Sequence, residues 1–221
     1  MNLNLFSIFD PATSMNFSFN WMSTLIIFSI FPYQFWLIPS RLHIMVNLIS
    51  NILMKEFKML IKYSLSNLTI FLSLFFLITL NNFLGLFPYI FTSSSHLSFC
   101  FSLSLTFWLS MILFSIFNYT NDLLSHLTPQ GTPFSLMPFM VMIESISLII
   151  RPLTLSIRLT ANMIAGHLLL SLLGSTGQII NFYLKMLIIS TQFLLFILEL
   201  SVSIIQAYVF TILTTLYSSE I

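Results

Sequence analysis

Ionisable residues are scarce in this sequence, yet several of them interrupt its last two long apolar stretches. Only 6% of the 221 residues are Asp, Glu, Lys or Arg. A charge at the centre of a bilayer costs at least about 2.5–3.5 kcal/mol, so it usually faces a helix-bundle interior or a water path. The ionisable residues in these two stretches are Glu144, Arg151, Arg158, His167, Lys185 and Glu199.

The spacing of these residues predicts a polar stripe on each of two helices. Glu144, Arg151 and Arg158 are seven residues apart, which keeps them on one helical face with a drift of only ~20° per heptad. Asn162, four residues beyond Arg158, extends this stripe. The second stripe, also at intervals of seven, consists of Lys185, Gln192, Glu199 and Gln206. We expect its outermost member, Lys185, to reach the interface.

Histidine and carboxylates can exchange protons near neutral pH, whereas arginine cannot. His167 is nine residues past Arg158, about half a turn round the helix, so it faces away from the arginine. His167 and Glu199 form a titratable outer set, Glu144 is a titratable inner group, and Arg158 lies between them. This order predicts two proton half-paths that a permanent cation keeps apart.

A structural reading of the same stripes stays open. Polar residues between packed membrane helices can simply hold the helices together, with Glu paired to Arg and no proton movement. Asn81 and Asn82 are interpreted in this way, as hydrogen-bonding residues between helices. His96 is expected at a solvated or interfacial position.

The composition identifies the elements that must position these side chains. Hydrophobic residues make up 57% of the chain and its mean hydropathy is +1.00, which is typical of an integral membrane protein. The apolar runs are long and continuous, which indicates α-helices rather than a barrel. A net charge of +1 argues against nucleic-acid binding, and no metal or cofactor motif is present.

The first part of the chain predicts one membrane span and one interfacial helix. The span runs from Phe17 to Ile38, is bent by Pro32 and stops at Pro39. Residues 41–64 have the pattern of an amphipathic helix lying in the interface. Its polar face carries Asn47, Asn51, Lys55, Lys58 and Lys62.

Residues 65–118 predict a helical hairpin, with spans at Leu65–Leu86 and Leu97–Asn118. A polar connector containing TPQGTP follows from Thr120 to Pro138.

Residues 139–218 predict a pair of long helices, Phe139–Leu173 and Ile179–Ser218, with a turn at Gly174 to Gly177. They would be roughly 50 and 60 Å long, against a hydrocarbon thickness of about 30 Å, so we expect steep tilts. Pro152 should bend the first of them. The fold class is therefore all-α and polytopic, with about five membrane-embedded helices and one interfacial helix.

Several segments resemble subunit a of the F-type ATP synthases, in particular the mitochondrially encoded arthropod forms. The most specific are IRPLTLSIRLTANMIAGHLL from Ile150 and LELSVSIIQAYVFTILTTLY from Leu198. Others are FDPATS from Phe9, LNNFLGLFPYIFT from Leu80 and PQGTPFSLMPFMVMIES from Pro129. The resemblance covers essentially the whole chain.

The resemblance implies roles for His167 and for most residues of the two stripes. Arg158 matches the essential arginine that faces the c-ring carboxylate and separates two half-channels, and Asn162 matches a polar partner near it. Outer half-channel positions are matched by His167, Glu199 and Gln206, and an inner position by Glu144. Arg151 departs from the Gln of many relatives and is interpreted as a partner of Glu144; Gln192 is a secondary position.

The implied function is proton translocation by a stator subunit, with no bond chemistry on this chain. Its partners would be the c-ring, other membrane-sector and peripheral-stalk subunits, protons and lipid. The implied location is the mitochondrial inner membrane. The basic connector at Arg41 to Lys62 predicts an N-terminus in the intermembrane space and a C-terminus in the matrix. Two alternatives are a non-conducting structural subunit of a respiratory complex and a secondary transporter, although no internal repeat supports the latter.

Overall fold

The computed structural model describes residues 5–14, 17–61, 65–128, 133–177 and 181–220. Within these ranges it contains no β-strand, so the predicted all-α class is confirmed. The α-helices are α1 (Ser23–Ile30), α2 (Arg41–Leu60), α3 (Leu65–Leu86), α4 (Leu97–Asn118), α5 (Thr120–Leu127), α6 (Met137–Thr176) and α7 (Phe182–Glu220).

Four stretches of the described chain are long and apolar enough to cross a membrane, and they confirm the polytopic architecture. They are Asn67–Leu86, Leu97–Asn118, Phe134–Thr176 and Tyr183–Ser219. A shorter apolar helical stretch, Phe19–Ile30, precedes them.

The first helix is shorter than the sequence predicts. A 3₁₀ turn at Phe19–Met22 leads into α1, which ends at Ile30 instead of continuing to Ile38. Phe31 is extended, with φ −63° and ψ 124°, because the ring of Pro32 clashes with a helical residue before it. The predicted span was too long because the sequence stays apolar beyond Pro32.

The interfacial helix α2 lies within the predicted 41–64 range. The Ser40 hydroxyl caps its first turn by accepting a hydrogen bond from the His43 backbone N–H at 3.4 Å. Leu53 and Phe57 are buried on one face, whereas Lys55 and Lys58 are exposed on the other. Lys62 lies outside the described residues.

The hairpin helices α3 and α4 have the predicted bounds, but the connector after them is partly helical. Residues Thr120–Leu127 form α5, with Asp122 in its first turn, where a carboxylate complements the helix dipole. A 3₁₀ turn at Phe134–Leu136 precedes α6. Residues 129–132 of the TPQGTP segment lie outside the described residues.

The two long helices extend beyond their predicted C-termini. The predicted turn at Gly174 to Gly177 is wrong for its first three residues, since α6 continues to Thr176. Hydroxyl groups of Ser175 and Thr176 donate to the carbonyls of Leu172 and Leu173 and support this last turn. With 40 and 39 residues, α6 and α7 are each about 60 Å long. Steep tilts therefore stay predicted, as does a bend at Pro152, which lies inside α6.

Helix α3 lies at the centre of the core, against α7, and α6 packs against both α4 and α7. The buried cluster joins residues of α2, α3, α6 and α7, among them Phe57, Leu68, Leu155 and Ala207. Asn82 of α3 donates to the Ser203 carbonyl of α7 at 3.3 Å, and Asn81 accepts from Ser93 at 3.0 Å. The predicted hydrogen bonding by these two asparagines is confirmed.

Hydroxyl side chains along the helices are satisfied mainly by their own backbone. In α4, Ser102, Thr106 and Ser110 each donate to the carbonyl three residues earlier, at 2.7–2.9 Å. The same bonding recurs in α7 at Ser190 and Thr214. These residues therefore need no partner on another helix.

Candidate functional site

Arg158 lies on the outer face of α6, away from the chain's own core. The neighbouring Leu155, Ser156, Leu159 and Thr160 are buried, whereas the Arg158 side chain is exposed. Among the described residues it forms no ion pair and no hydrogen bond. The guanidinium therefore lies on a surface that the described part of this chain leaves uncovered.

The surface around Arg158 is apolar and contains small residues. Ile157 and Leu153 are each 44% exposed, and Ala161 is exposed one turn further along α6. Helix α7 also exposes apolar residues, including Leu198 and Ile205. A face of this kind is suited to a protein or lipid partner rather than to water.

Glu199 is held against a helix position that has no side chain. Its side chain is only 8% exposed and packs on Gly166 of α6. A Cβ added to Gly166 would lie 2.8 Å from both Cδ and Oε1 of Glu199. Gly166 is therefore part of the site, although the sequence analysis did not single it out. Its position directly before His167 was the available signal.

His167 is half-buried and faces the N-terminal segment and α3. Its ring meets the Phe9 ring edge-on, with centroids 6.3 Å apart, and it lies near the backbone of Gly85 on α3. Arg158 has no such neighbours, so the two side chains lie on different faces, as the nine-residue spacing predicts. Because Glu199 packs on Gly166, the residue directly before His167, these two ionisable residues lie at a similar height along α6.

Buried polar atoms without a hydrogen-bond partner concentrate in this same region. Within the described residues they are Asn82 Oδ1, Ser94 Oγ, His96 Nε2, His167 Nε2, Glu199 Oε1 and Glu199 Oε2. Leaving such an atom without any partner costs about 1–3 kcal/mol, and buried polar groups are normally satisfied by protein or water. These buried atoms therefore form a polar group that the described part of the chain leaves unsatisfied.

His96 differs from its sequence interpretation. Its ring lies between Phe91 and Trp21, with centroid distances of 5.0 and 5.2 Å, and its Nε2 is buried. The flanking turn Ser93–Ser95 is also buried and packs against α3, α4 and α6. Trp21, one of the two aromatic residues that cover His96, is distant in sequence, which explains why a solvated or interfacial position was expected.

The N-terminal part of α6 carries a second charged group. Arg151 Nη2 lies 3.8 Å from Glu144 Oε1, as expected for a partner of Glu144. The guanidinium carbon of Arg151 is also 4.9 Å from the centroid of the Tyr217 ring on α7. The stripe of Glu144, Arg151 and Arg158 thus divides into a pair and a separate arginine.

The polar stripe of α7 faces α6 over its middle section. Gln192 Nε2 would be 3.7 Å from a Cβ at Gly174, and Glu199 packs on Gly166. Together these contacts define an antiparallel register, which puts Gln206 at the level of Leu159, beside Arg158 in sequence. Gln206 and Asn162 are half-buried, whereas Lys185 is exposed.

One polar contact between helices was missed altogether. The Tyr208 hydroxyl of α7 donates to Glu56 Oε2 of α2 at 2.9 Å. Glu56 lies among the lysines of the interfacial helix, and nothing in its local pattern indicates a partner 152 residues away. Among the described residues, no group of three or more His, Cys, Asp or Glu side chains could hold a metal ion.

Comparison with known proteins agrees over the full length of the chain. The family model for the ATP synthase A chain matches residues 16–219. ATP synthase subunit a of Drosophila melanogaster is 55% identical over 223 residues, covering 100% of both chains. The corresponding proteins of Anopheles quadrimaculatus and Locusta migratoria are 54% and 53% identical, again with 100% of each chain covered. This chain belongs to the ATP synthase A chain family.

Proposed function

We propose that this chain is the proton-conducting stator subunit of the ATP synthase membrane sector. The observation that carries the proposal is Arg158, an exposed guanidinium with no ion-pair partner in the described part of the chain, set in an apolar face. A cation in such surroundings is stable only if an opposite charge from outside meets it. The fitting partner is a carboxylate on a ring of c subunits that passes along this face.

The outer half-channel delivers protons to that carboxylate. His167 and Glu199 supply titratable groups, and the unpartnered buried atoms around them support a hydrated path. Gln206, at the level of Leu159, continues the polar surface of α7 towards the arginine. A proton that reaches the ring neutralises its carboxylate, which can then move into lipid.

Arg158 is the barrier between the two half-channels. A guanidinium does not deprotonate in proteins, so it cannot relay a proton from the outer side to the inner side. It also favours the charged form of a ring carboxylate that approaches it. Protons therefore cross only on the ring, which turns as they do, and each crossing is worth about 2.3 kcal/mol per 100 mV.

Glu144 serves the inner half-channel. It lies near the inner end of α6 with a side chain 38% exposed, so it can pass a released proton to water. We place the chain in the mitochondrial inner membrane, with the N-terminus in the intermembrane space and the C-terminus in the matrix. Residues 41–64 then lie on the matrix side, and peripheral-stalk subunits are further partners.

The test compares two substitutions of the arginine in the assembled complex, reconstituted in lipid vesicles. Arg158→Ala should abolish coupled proton flux while the complex still assembles. Arg158→Lys should not restore it, because an ammonium group in an apolar site can lose its proton. Lys185→Ala, which removes an exposed cation of α7, is the control and should keep full flux.

Two results would contradict the proposal. Full ATP synthesis in the Arg158→Lys complex would contradict the proposal that Arg158 is a barrier to protons. Poor assembly of Arg158→Ala, with normal flux in each complex that forms, would instead favour the non-conducting structural subunit.

A further inference from the structure

We propose that Arg151 is a positioning residue that fastens the inner segment of α6 to the end of α7 and so holds Glu144 in place. The inference rests on the proposed function for the importance of Glu144, but the attachment itself rests on contacts of this chain alone. We call residues 137–151 the inner arm.

The inner arm is less covered by the rest of the chain than the segment of α6 that follows it. None of residues 137–151 is buried, and the buried face of α6 begins at Pro152. By contrast, the facing end of α7 is anchored in the core, where Thr211 and Thr215 have no exposed surface. A side chain that links the arm to α7 therefore joins a partly covered segment to one that has fully buried residues.

The link falls where α6 is weakest. A proline within a helix lacks the backbone N–H that would bond to the carbonyl four residues earlier, and its ring crowds that carbonyl. Pro152 removes this bond in the turn that connects the inner arm to the rest of α6. Arg151, the residue directly before it, lies in this same turn and contacts Tyr217 on α7.

Arg151 can hold two partners at once because of its shape. A guanidinium is planar, so its nitrogens can face a carboxylate while its flat side covers an aromatic ring. Here Nη2 is 3.8 Å from Glu144 Oε1 and the central carbon is 4.9 Å from the Tyr217 ring centroid. A glutamine has no charge for either contact, and a lysine has no flat face.

The two arginines of α6 therefore have different tasks. Arg151 is 25% exposed and engaged inside the chain, whereas Arg158, seven residues later, is exposed and unengaged among the described residues. Arg151 fixes the geometry of the inner side, and Arg158 acts on the partner.

The experiment measures both attachment and flux in the assembled complex. Spin labels at Met142→Cys and Ser219→Cys, both exposed positions, report the distance between the inner arm and α7. Arg151→Gln and Tyr217→Leu should each broaden that distance distribution and lower proton flux several-fold. Tyr217→Phe keeps the ring, and should leave both unchanged. In a Glu144→Gln background, Arg151→Gln should cause no further loss of flux, since it acts through Glu144.

The outcomes separate this inference from the proposed function. An unchanged distance distribution in Arg151→Gln, or equal behaviour of Tyr217→Leu and Tyr217→Phe, would overturn the attachment. Broadening without loss of flux would overturn the positioning role. Normal flux in Glu144→Gln alone would instead count against Glu144 as the inner proton group, and would leave the distance measurement to decide the attachment.

Discussion

At the scale of single residues, the site depends on the absence of a side chain at Gly166 as much as on its charged residues. Gly166 leaves room on α6 for the carboxyl group of Glu199. The polar types and their spacing were readable from the sequence, and they predicted the different faces of Arg158 and His167. The requirement for glycine at position 166 could not be predicted from the local sequence, because Glu199, which packs there, lies on the following helix.

We predict that Gly166→Ala displaces the Glu199 carboxyl group. The new methyl group would overlap atoms at 2.8 Å, and overpacking of this kind typically costs about 1–3 kcal/mol. Proton flux per complex should fall and the complex should become less heat-stable, as measured in vesicles and by thermal denaturation in detergent.

A matched control is available on the same helix. At Gly174 the nearest atom to an added Cβ is 3.7 Å away, so Gly174→Ala should be tolerated and can gain up to about 1 kcal/mol of helix propensity. Shortening the acid with Glu199→Asp should relieve part of the Gly166→Ala defect. Equal flux in both alanine variants would contradict the steric account.

At the scale of helices, uninterrupted patterns were predicted well and mixed ones poorly. The bounds of α3 and α4 follow from two apolar runs without any ionisable residue. The first span was predicted too long because the apolar sequence continues past Pro32, whereas the helix ends before this proline. Residues 120–127 were assigned to a connector because their polarity outweighed their helical pattern.

The link between α2 and α7 gives a prediction at this scale. Tyr208→Phe removes the hydroxyl that donates to Glu56 and should lower the stability of the helix packing by about 1 kcal/mol. The loss should appear as an earlier thermal transition of the detergent-solubilised complex. Glu56→Gln keeps an acceptor oxygen and should be milder than Glu56→Ala.

The exposed Tyr119 serves as the comparison residue. Tyr119→Phe removes a hydroxyl from a side chain that is 52% exposed, and should leave the transition where it is. If Tyr208→Phe and Glu56→Ala together cost the sum of their separate effects, the two side chains do not act as a pair.

At the scale of the whole molecule, much of the chain's apolar surface is left for other components. Helices α4, α6 and α7 expose large hydrophobic side chains along their lengths, including Phe117, Ile149 and Phe193. Composition alone predicted this excess and the membrane that accommodates it. The proposed function assigns the part of this surface around Arg158 to a protein partner and leaves the rest for lipid or other subunits.

We predict that a bulky residue on the Arg158 face blocks the partner without unfolding the chain. Ala161→Trp enlarges an exposed position one turn from the arginine, so the chain itself has room for it. Coupled flux should be lost while the subunit still inserts and folds, as judged by helical content in detergent.

Leu113→Trp provides the lipid-facing control. Leu113 is 49% exposed on α4 and lies on a different helix from Arg158. That variant should conduct normally, because acyl chains adapt to a larger side chain. Normal flux in Ala161→Trp would mean that no rigid partner passes this part of α6.

The hydroxyl groups that bond to their own helix backbone have a consequence for biogenesis. Ser102, Thr106, Ser110 and similar residues can enter the membrane one helix at a time, since each carries its acceptor with it. Newly made segments can therefore leave the insertion machinery before their neighbours exist. Asn82 donates to Ser203 on a helix that is translated far later, so this hydrogen bond can form only after α7 has entered the membrane.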